Sequence, residues 1–404
     1  MKVLMLGWEF PPHISGGLGT ACYGLTKGLY EIGGVDTTFI VPHLYGQEEA
    51  NYVQLFSMSG NQLAANDGSK QGKPVLPELY GLNLMTEVEQ YAAHVEDIIA
   101  RSGEFDIIHA HDWLTYQAGI DAKKISGKPL VVHVHSTEFD RAGKNLDLNI
   151  CAIERLGMSM ADKIIAVSNL TKNVIIDRYQ QDPDKIATIY NATEPFVCDK
   201  HPQKLTNRKS VVTFLGRLTY QKGPEYFIKA AHKVLQKTSD FSYIMAGTGD
   251  LFPEMKTLVS SLGLDTYFEF PGFLNADEVK ALLANSDVFV MPSVSEPFGI
   301  VALEAINANV PIIISKQSGV AEVIDSAIKV NAWDTDTIAA AIQAILTDAT
   351  LSAQLTLDAK FESNKLTWLA SAIKLKDVYQ TLIDGSVYKK NERICRAIDL
   401  CQTV

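Results

Sequence analysis

Twice along this chain, short apolar runs of strand length alternate with stretches of helical period. The first series is Val3-Leu-Met-Leu6, Thr37-Thr-Phe-Ile-Val41, Ile107-Ile108, Leu130-Val-Val-His-Val-His135, Ile164-Ile-Ala-Val167 and Ile186-Ala-Thr-Ile189. Helical spacing falls between them at 18–32, 86–100, 113–124 and 150–160. Helix-linked strands of this kind pair in parallel and are covered on both faces. The segment 191–210 carries Pro195, Pro202 and several Lys and Asn residues, and it breaks the rhythm. A second series then starts with Val211-Val-Thr-Phe-Leu215, Tyr243-Ile-Met-Ala246, Tyr267-Phe-Glu-Phe270, Val288-Phe-Val290 and Pro311-Ile-Ile-Ile-Ser315. Its helices are expected at 225–235, 253–262, 277–285, 300–308 and 337–346, with a last one at 368–383. The polar stretch 47–77 reads as an excursion. The expected fold class is α/β, two doubly wound domains facing a cleft, one at 1–195 and one at 196–375, with a helix or tail at 376–404 returning to the first. Ligands of such sheets bind outside the carboxyl ends of the strands.

Composition narrows the partners. A net charge of −11 argues against nucleic acid or an anionic membrane surface. The five cysteines are scattered, odd in number and without metal-ligand spacing, as expected of reduced thiols in a cytoplasmic protein. The opening Lys2-Val-Leu-Met-Leu-Gly7 is too short for a signal sequence, and no apolar run approaches membrane-span length. The oligomeric state is not readable from these features.

Strand-end loops hold the candidate chemistry. In Ser293-Val-Ser-Glu-Pro-Phe-Gly-Ile-Val-Ala-Leu-Glu304, a strand gives way to a Pro/Gly turn and then a helix. Glu296 lies in the turn beside backbone N–H groups and a positive helix end, while Glu304 lies one to two turns further on, so they meet different parts of one ligand. Gly16 and Gly17, also between strand and helix, let the backbone approach a phosphate. That loop lacks the nicotinamide-type glycine fingerprint, because Cys22 stands where the third glycine belongs. Arg217 and Lys222, on the loop 216–223, are placed to neutralise a diphosphate.

His109, His111, Asp112, His133 and His135 end two strands, and a period of two puts each histidine pair on one face. A metal site, a sugar pocket and plain core packing compete here. His109 and His133 are expected to be satisfied core residues, since a metal site needs more carboxylates or cysteines nearby in sequence than this stretch offers. Asp334-Thr-Asp336 and Asp182-Pro-Asp184 match a metal-binding D-x-D, but neither ends a strand and the first reads as a helix N-cap. No residue is assigned to a metal.

Taken in order, Trp8-Glu-Phe-Pro-Pro12, Gly16-Gly-Leu18, His111-Asp-Trp113, Gly216-Arg-Leu218, Gln221-Lys-Gly223 and Glu296-Pro-Phe-Gly299 with Glu304 resemble the retaining glycosyltransferases of family 4, more narrowly the glycogen and starch synthase-like branch. The resemblance implies a GT-B fold of two Rossmann-like domains, the one at 1–195 on the acceptor side and the one at 196–375 holding the nucleotide-sugar. It implies that Arg217 and Lys222 hold the donor diphosphate, assisted by backbone at Phe298, Gly299 and Ile300 and by Gly16 and Gly17 opposite. Glu304 would bind the nucleotide ribose, Glu296 would lie near the donor sugar, His135 would touch the transferred sugar, and Asp112 the acceptor or donor sugar. No metal or other cofactor is implied. The activity implied is retaining transfer of glucose from ADP- or UDP-glucose to a sugar or α-glucan, as in glycogen biosynthesis. The alternatives are a lipid-linked or surface-polysaccharide acceptor, and a non-catalytic sugar-binding protein. One departure is Ile14, where bacterial glycogen synthases commonly carry a lysine before the paired glycines.

Overall fold

The computed structural model describes residues 1–14, 16–46, 48, 50–58, 84–196 and 209–402, with side chains to 386. The first sheet contains β1 (Lys2–Leu6), β2 (Asp36–Val41), β3 (Gln54–Ser57), β4 (Ile107–His111), β5 (Leu130–Val134), β6 (Lys163–Ala166) and β7 (Ile186–Thr188). The second contains β8 (Ser210–Leu215), β9 (Phe241–Ala246), β10 (Phe268–Gly272), β11 (Val288–Met291), β12 (Ile312–Ser315) and β13 (Ile328–Val330). Their strand orders are β3-β2-β1-β4-β5-β6-β7 and β10-β9-β8-β11-β12-β13, and the paired strands run parallel. The fold is α/β, with two Rossmann-like sheets.

Burial on both faces explains the continuous apolar runs. Every residue of β4, β5, β11 and β12 is buried, which period-two alternation would not produce. Each fully buried Val, Leu or Ile side chain contributes roughly 1.5–3 kcal/mol to holding these layers. The order reverses between β1 and β4 in the first sheet and between β8 and β11 in the second. The crevice at each reversal is flanked by the loops leaving those four strands, which carry most of the candidate residues.

Several elements differ from the sequence reading. The helix expected at 86–100 is two helices, Leu84–Ala93 and Val95–Ser102. At the break His94 Nδ1 lies 2.7 Å from Gln90 O, competing for the carbonyl that the His94 N–H also reaches. β3 lies within the expected excursion at 47–77, most of whose residues fall outside those described. Most of the expected connection, 197–208, does too. The helix Asn169–Tyr179, the helix Ala349–Ser363 and β13 were not foreseen.

The last helix, Trp368–Gln402, lies against the helix Gly17–Glu31 of the first domain. Glycine makes that contact possible. A Cβ on Gly24 would run into the Trp368 indole, and one on Gly28 would lie 2.6 Å from the Trp368 carbonyl oxygen. Among the described residues, no single helix is long and apolar enough to cross a membrane.

Candidate active site

In the second domain, Lys222 ends a short 3-10 turn, Tyr220–Lys222, that follows β8. Gly223 (φ +62°) then turns the chain into the helix Pro224–Leu235. A side chain there would meet the Pro292 carbonyl just past β11, so the two strand-end loops lie in contact. The Lys222 ammonium sits 2.6 Å from Glu296 Oε2, which also accepts the Ser293 hydroxyl at 3.1 Å. Glu296 is only 5% exposed. Its backbone is pinned as well: its N–H donates to Gln317 O and its carbonyl accepts Gly319 N–H. The lysine expected at a diphosphate and the glutamate expected at the sugar are thus partners of each other here. Arg217 is exposed to solvent.

Gly299 (φ +105°) precedes the helix Ile300–Asn307, a conformation that favours glycine and that aims the first-turn N–H groups off the strand end. Phe298 is buried beside it. Glu304 lies in the second turn; burial pushes its carboxyl up to about 7, against an opposing pull from Lys280. Across the cleft, Gly16 is the N-cap of the helix Gly17–Glu31, with open space where a Cβ would stand. A Cβ on Gly17 would lie 3.9 Å from Ile300 Cδ1. The two helix N-termini, one from each domain, therefore face a shared space.

On the first domain, Asp112 follows β4 with a φ of +58°, unusual for a residue bearing a Cβ. Its Oδ1 accepts the backbone N–H of His135 at 2.7 Å and of Ser136 at 3.3 Å, so its carboxylate fixes the turn that carries His135. Burial pushes the Asp112 carboxyl up to about 7, with Arg141 pulling the other way. His135 stands just past β5, 9% exposed, with Nε2 2.9 Å from His111 Nδ1.

Residues 15–195 match Glycosyltransferase Family 4, and residues 198–361 match the family of group 1 glycosyl transferases. An uncharacterized glycosyltransferase of Methanocaldococcus jannaschii is 32% identical over 405 residues, covering 95% of this chain and 99% of that one. The chain belongs to glycosyltransferase family 4. This family 4 glycosyltransferase is also 25% identical to a glycogen synthase of Mycobacterium tuberculosis, over 86% of each chain. The solved sucrose-phosphate synthase of Thermosynechococcus elongatus superposes with a TM-score of 0.77 at 19% identity, covering 95% of this chain and 99% of that one. The shared fold is GT-B.

Other residues of this glycosyltransferase brace the site without having been picked out in the sequence. Arg141 bonds Glu154 at 2.6 Å, Glu138 at 3.3 Å and the Ser136 carbonyl at 3.1 Å, while Glu154 accepts the Glu138 N–H and the Tyr179 hydroxyl. Thr137 and Asp140 form a capping box under the same turn, and Ser295 reaches over from the second domain to Asp140 at 2.6 Å. The spacing Thr137-x-x-Asp140 was the readable signal. Glu322 of the second domain accepts the N–H groups of Asn169 (2.9 Å) and Leu170 (2.6 Å) and the Tyr190 hydroxyl (2.9 Å), capping a helix of the first.

The histidines require a correction. His109 and His133 are fully buried, as expected of core residues, but they are not satisfied. His109 Nδ1 meets the Tyr379 hydroxyl at 2.6 Å, whereas His109 Nε2 and both nitrogens of His133 have no partner among the described residues. The D-x-D readings fall out as caps: Asp334 accepts the Thr337 N–H and Asp182 the Asp184 N–H.

Proposed function

We propose that this glycosyltransferase moves a hexosyl unit, glucose, from ADP- or UDP-glucose to a sugar or α-glucan hydroxyl with retention of configuration, as a glycogen synthase-like enzyme. The observation that carries this is the facing of Gly17 and Ile300 across the cleft, with Lys222 and Glu296 paired beside it. The two helix N-termini, with the Lys222 ammonium beside them, offer positive charge of the kind a diphosphate requires. The glycogen synthase relative supports the glucan acceptor.

In this reading Arg217 and Lys222 offset the charge growing on the departing nucleoside diphosphate, with backbone N–H groups at Phe298, Gly299 and Ile300 and at Gly16 and Gly17 assisting. Lys222 exchanges part of its contact with Glu296 for phosphate oxygen, and Glu296 lies toward the donor sugar. Glu304 accepts a ribose hydroxyl. His135 touches the transferred sugar, and Asp112 holds the turn that presents it. Retention proceeds by front-face displacement or by a covalent intermediate. The cations replace a metal at the diphosphate, so transfer is expected to survive chelation.

The test is a transfer and hydrolysis assay against a panel of nucleotide-sugars, with and without chelator, with the anomeric configuration of the product read by NMR. Retained configuration and chelator-insensitive transfer are expected. An inverted product would sink the retaining assignment. A lack of transfer with ADP- and UDP-glucose, beside transfer from another donor, would sink the glucosyl one.

A further inference from the structure

We propose that Cys22, His111 and His135 form a binding site for a thiophilic divalent cation of the zinc class, distinct from any role at the donor diphosphate. One ligand atom from each of the three lies within 4.8 Å of the others. Cys22 comes from the helix Gly17–Glu31, His111 ends β4 and His135 follows β5, so three separate elements converge. Cys22 and His111 are fully buried and His135 is 9% exposed. The cysteine that the histidine-bearing stretch lacks in sequence is supplied in space.

The ion would sit between the two inner ring nitrogens, His111 Nδ1 and His135 Nε2, which face each other. Imidazole and thiolate together match zinc rather than magnesium or calcium. The bite also fits: His111 Nδ1 and His135 Nε2 are 2.9 Å apart, while two imidazole nitrogens on tetrahedral zinc, with bonds near 2.0–2.1 Å, stand about 3.3 Å apart. An ion therefore needs only a small spreading of the pair and an inward shift of Cys22. His109 and His133 stack behind the ligand rings, with centroids 4.2 Å (His109–His111) and 4.2 Å (His133–His135) apart.

The proton balance is simple. Cys22 loses its thiol proton when sulfur binds the metal. Whichever imidazole donates in the shared hydrogen bond moves its proton to its outer nitrogen, so each ring stays neutral. One proton is released per ion. His135, at 9% exposed, is the most open of the three, so the ion enters past it. If His135 touches the transferred sugar, as in the proposed function, ion and donor exclude each other.

The experiment titrates the full chain with Co(II), which reports tetrahedral geometry and thiolate ligation by absorption. One equivalent is expected, with a sulfur-to-cobalt charge-transfer band and release of one proton. Cys22→Ser is expected to abolish that band and weaken binding by about tenfold or more while circular dichroism shows an intact fold. Cys22→Ala serves if the serine variant does not fold. Absence of saturable absorption on the wild-type chain would overturn the site. So would binding of equal strength in the Cys22 variants, which would place the ion on His109, His111 and His133 instead. Zn(II) competing with the nucleotide-sugar in transfer is the second readout, and the cobalt spectrum stands whether or not transfer is found.

Discussion

The pair between Lys222 and Glu296 separates stability from turnover. Replacing Lys222 with Met removes an ammonium 2.6 Å from the carboxylate of Glu296, which is 5% exposed, and leaves that carboxylate the Ser293 hydroxyl at 3.1 Å as its one side-chain partner among the described residues. Stripping one partner from a fully buried pair costs about 3–5 kcal/mol. The Lys222 side chain is 20% exposed, so water reaches part of the gap. That lowers the expected loss to about 2 kcal/mol. For a domain of roughly 200 residues this is a fall in Tm of about 4–8 °C. In Lys222→Met/Glu296→Gln the uncompensated charge is gone, the Ser293 bond is kept, and most of the lost Tm returns. Turnover is expected to stay low in both variants, because on the proposed function both lack the Lys222 ammonium at the diphosphate and keep Arg217 alone. Calorimetry and a transfer assay on the wild type, both single variants and the double variant complete the cycle. A Lys222→Met variant as stable as wild type, or a double variant no more stable than it, would refute the reasoning.

Glu304 makes a pH prediction. Its carboxyl is raised in the folded chain from the ordinary 4.5 to about 7, so folding favours the protonated form. Ionisation above the unfolded value then opposes folding, and the penalty grows until pH passes the folded value. Relative to Glu304→Gln, the donor-free wild type should lose stability between about pH 4.5 and 7 and hold a constant deficit above that, as read by urea unfolding at stepped pH. A deficit that does not change with pH would count against it. Glu322→Ala leaves the first-turn N–H groups of Asn169 and Leu170 to water, costing about 1 kcal/mol, and hydrogen exchange should show those two amides less protected. Unaltered protection would mean the cap contributes nothing. Gly24→Ala drives a methyl into the Trp368 indole, with an expected loss of about 1–3 kcal/mol and faster proteolysis of the last helix. Wild-type resistance would show that the contact yields freely.

The parts of this fold that were legible in sequence are those set by local pattern. The apolar runs announced the strands because both faces of each sheet are covered, and Gly299 announced the helix Ile300–Asn307 because few other residues adopt its φ. The stretch 86–100 misled because its apolar spacing continues smoothly through the break at His94. Residues joined across long separations were not legible. Periodicity says that His111 and His135 share a face with their strand neighbours, but not that Cys22 stands against them, or that Tyr379 closes on His109. The braces Arg141–Glu154 and Ser295–Asp140 join residues of separate elements that no local pattern pairs.

The return of the last helix to the first domain sets an order of events during synthesis. Gly24 and Gly28 leave a groove on the helix Gly17–Glu31 whose occupant, Trp368, is made only after the strands of the second domain. The His109 nitrogen waits in the same way for Tyr379. A nascent chain whose first domain has already emerged must therefore keep this seam unsealed while the whole second domain is translated. The amino-terminal half, first made, is last completed.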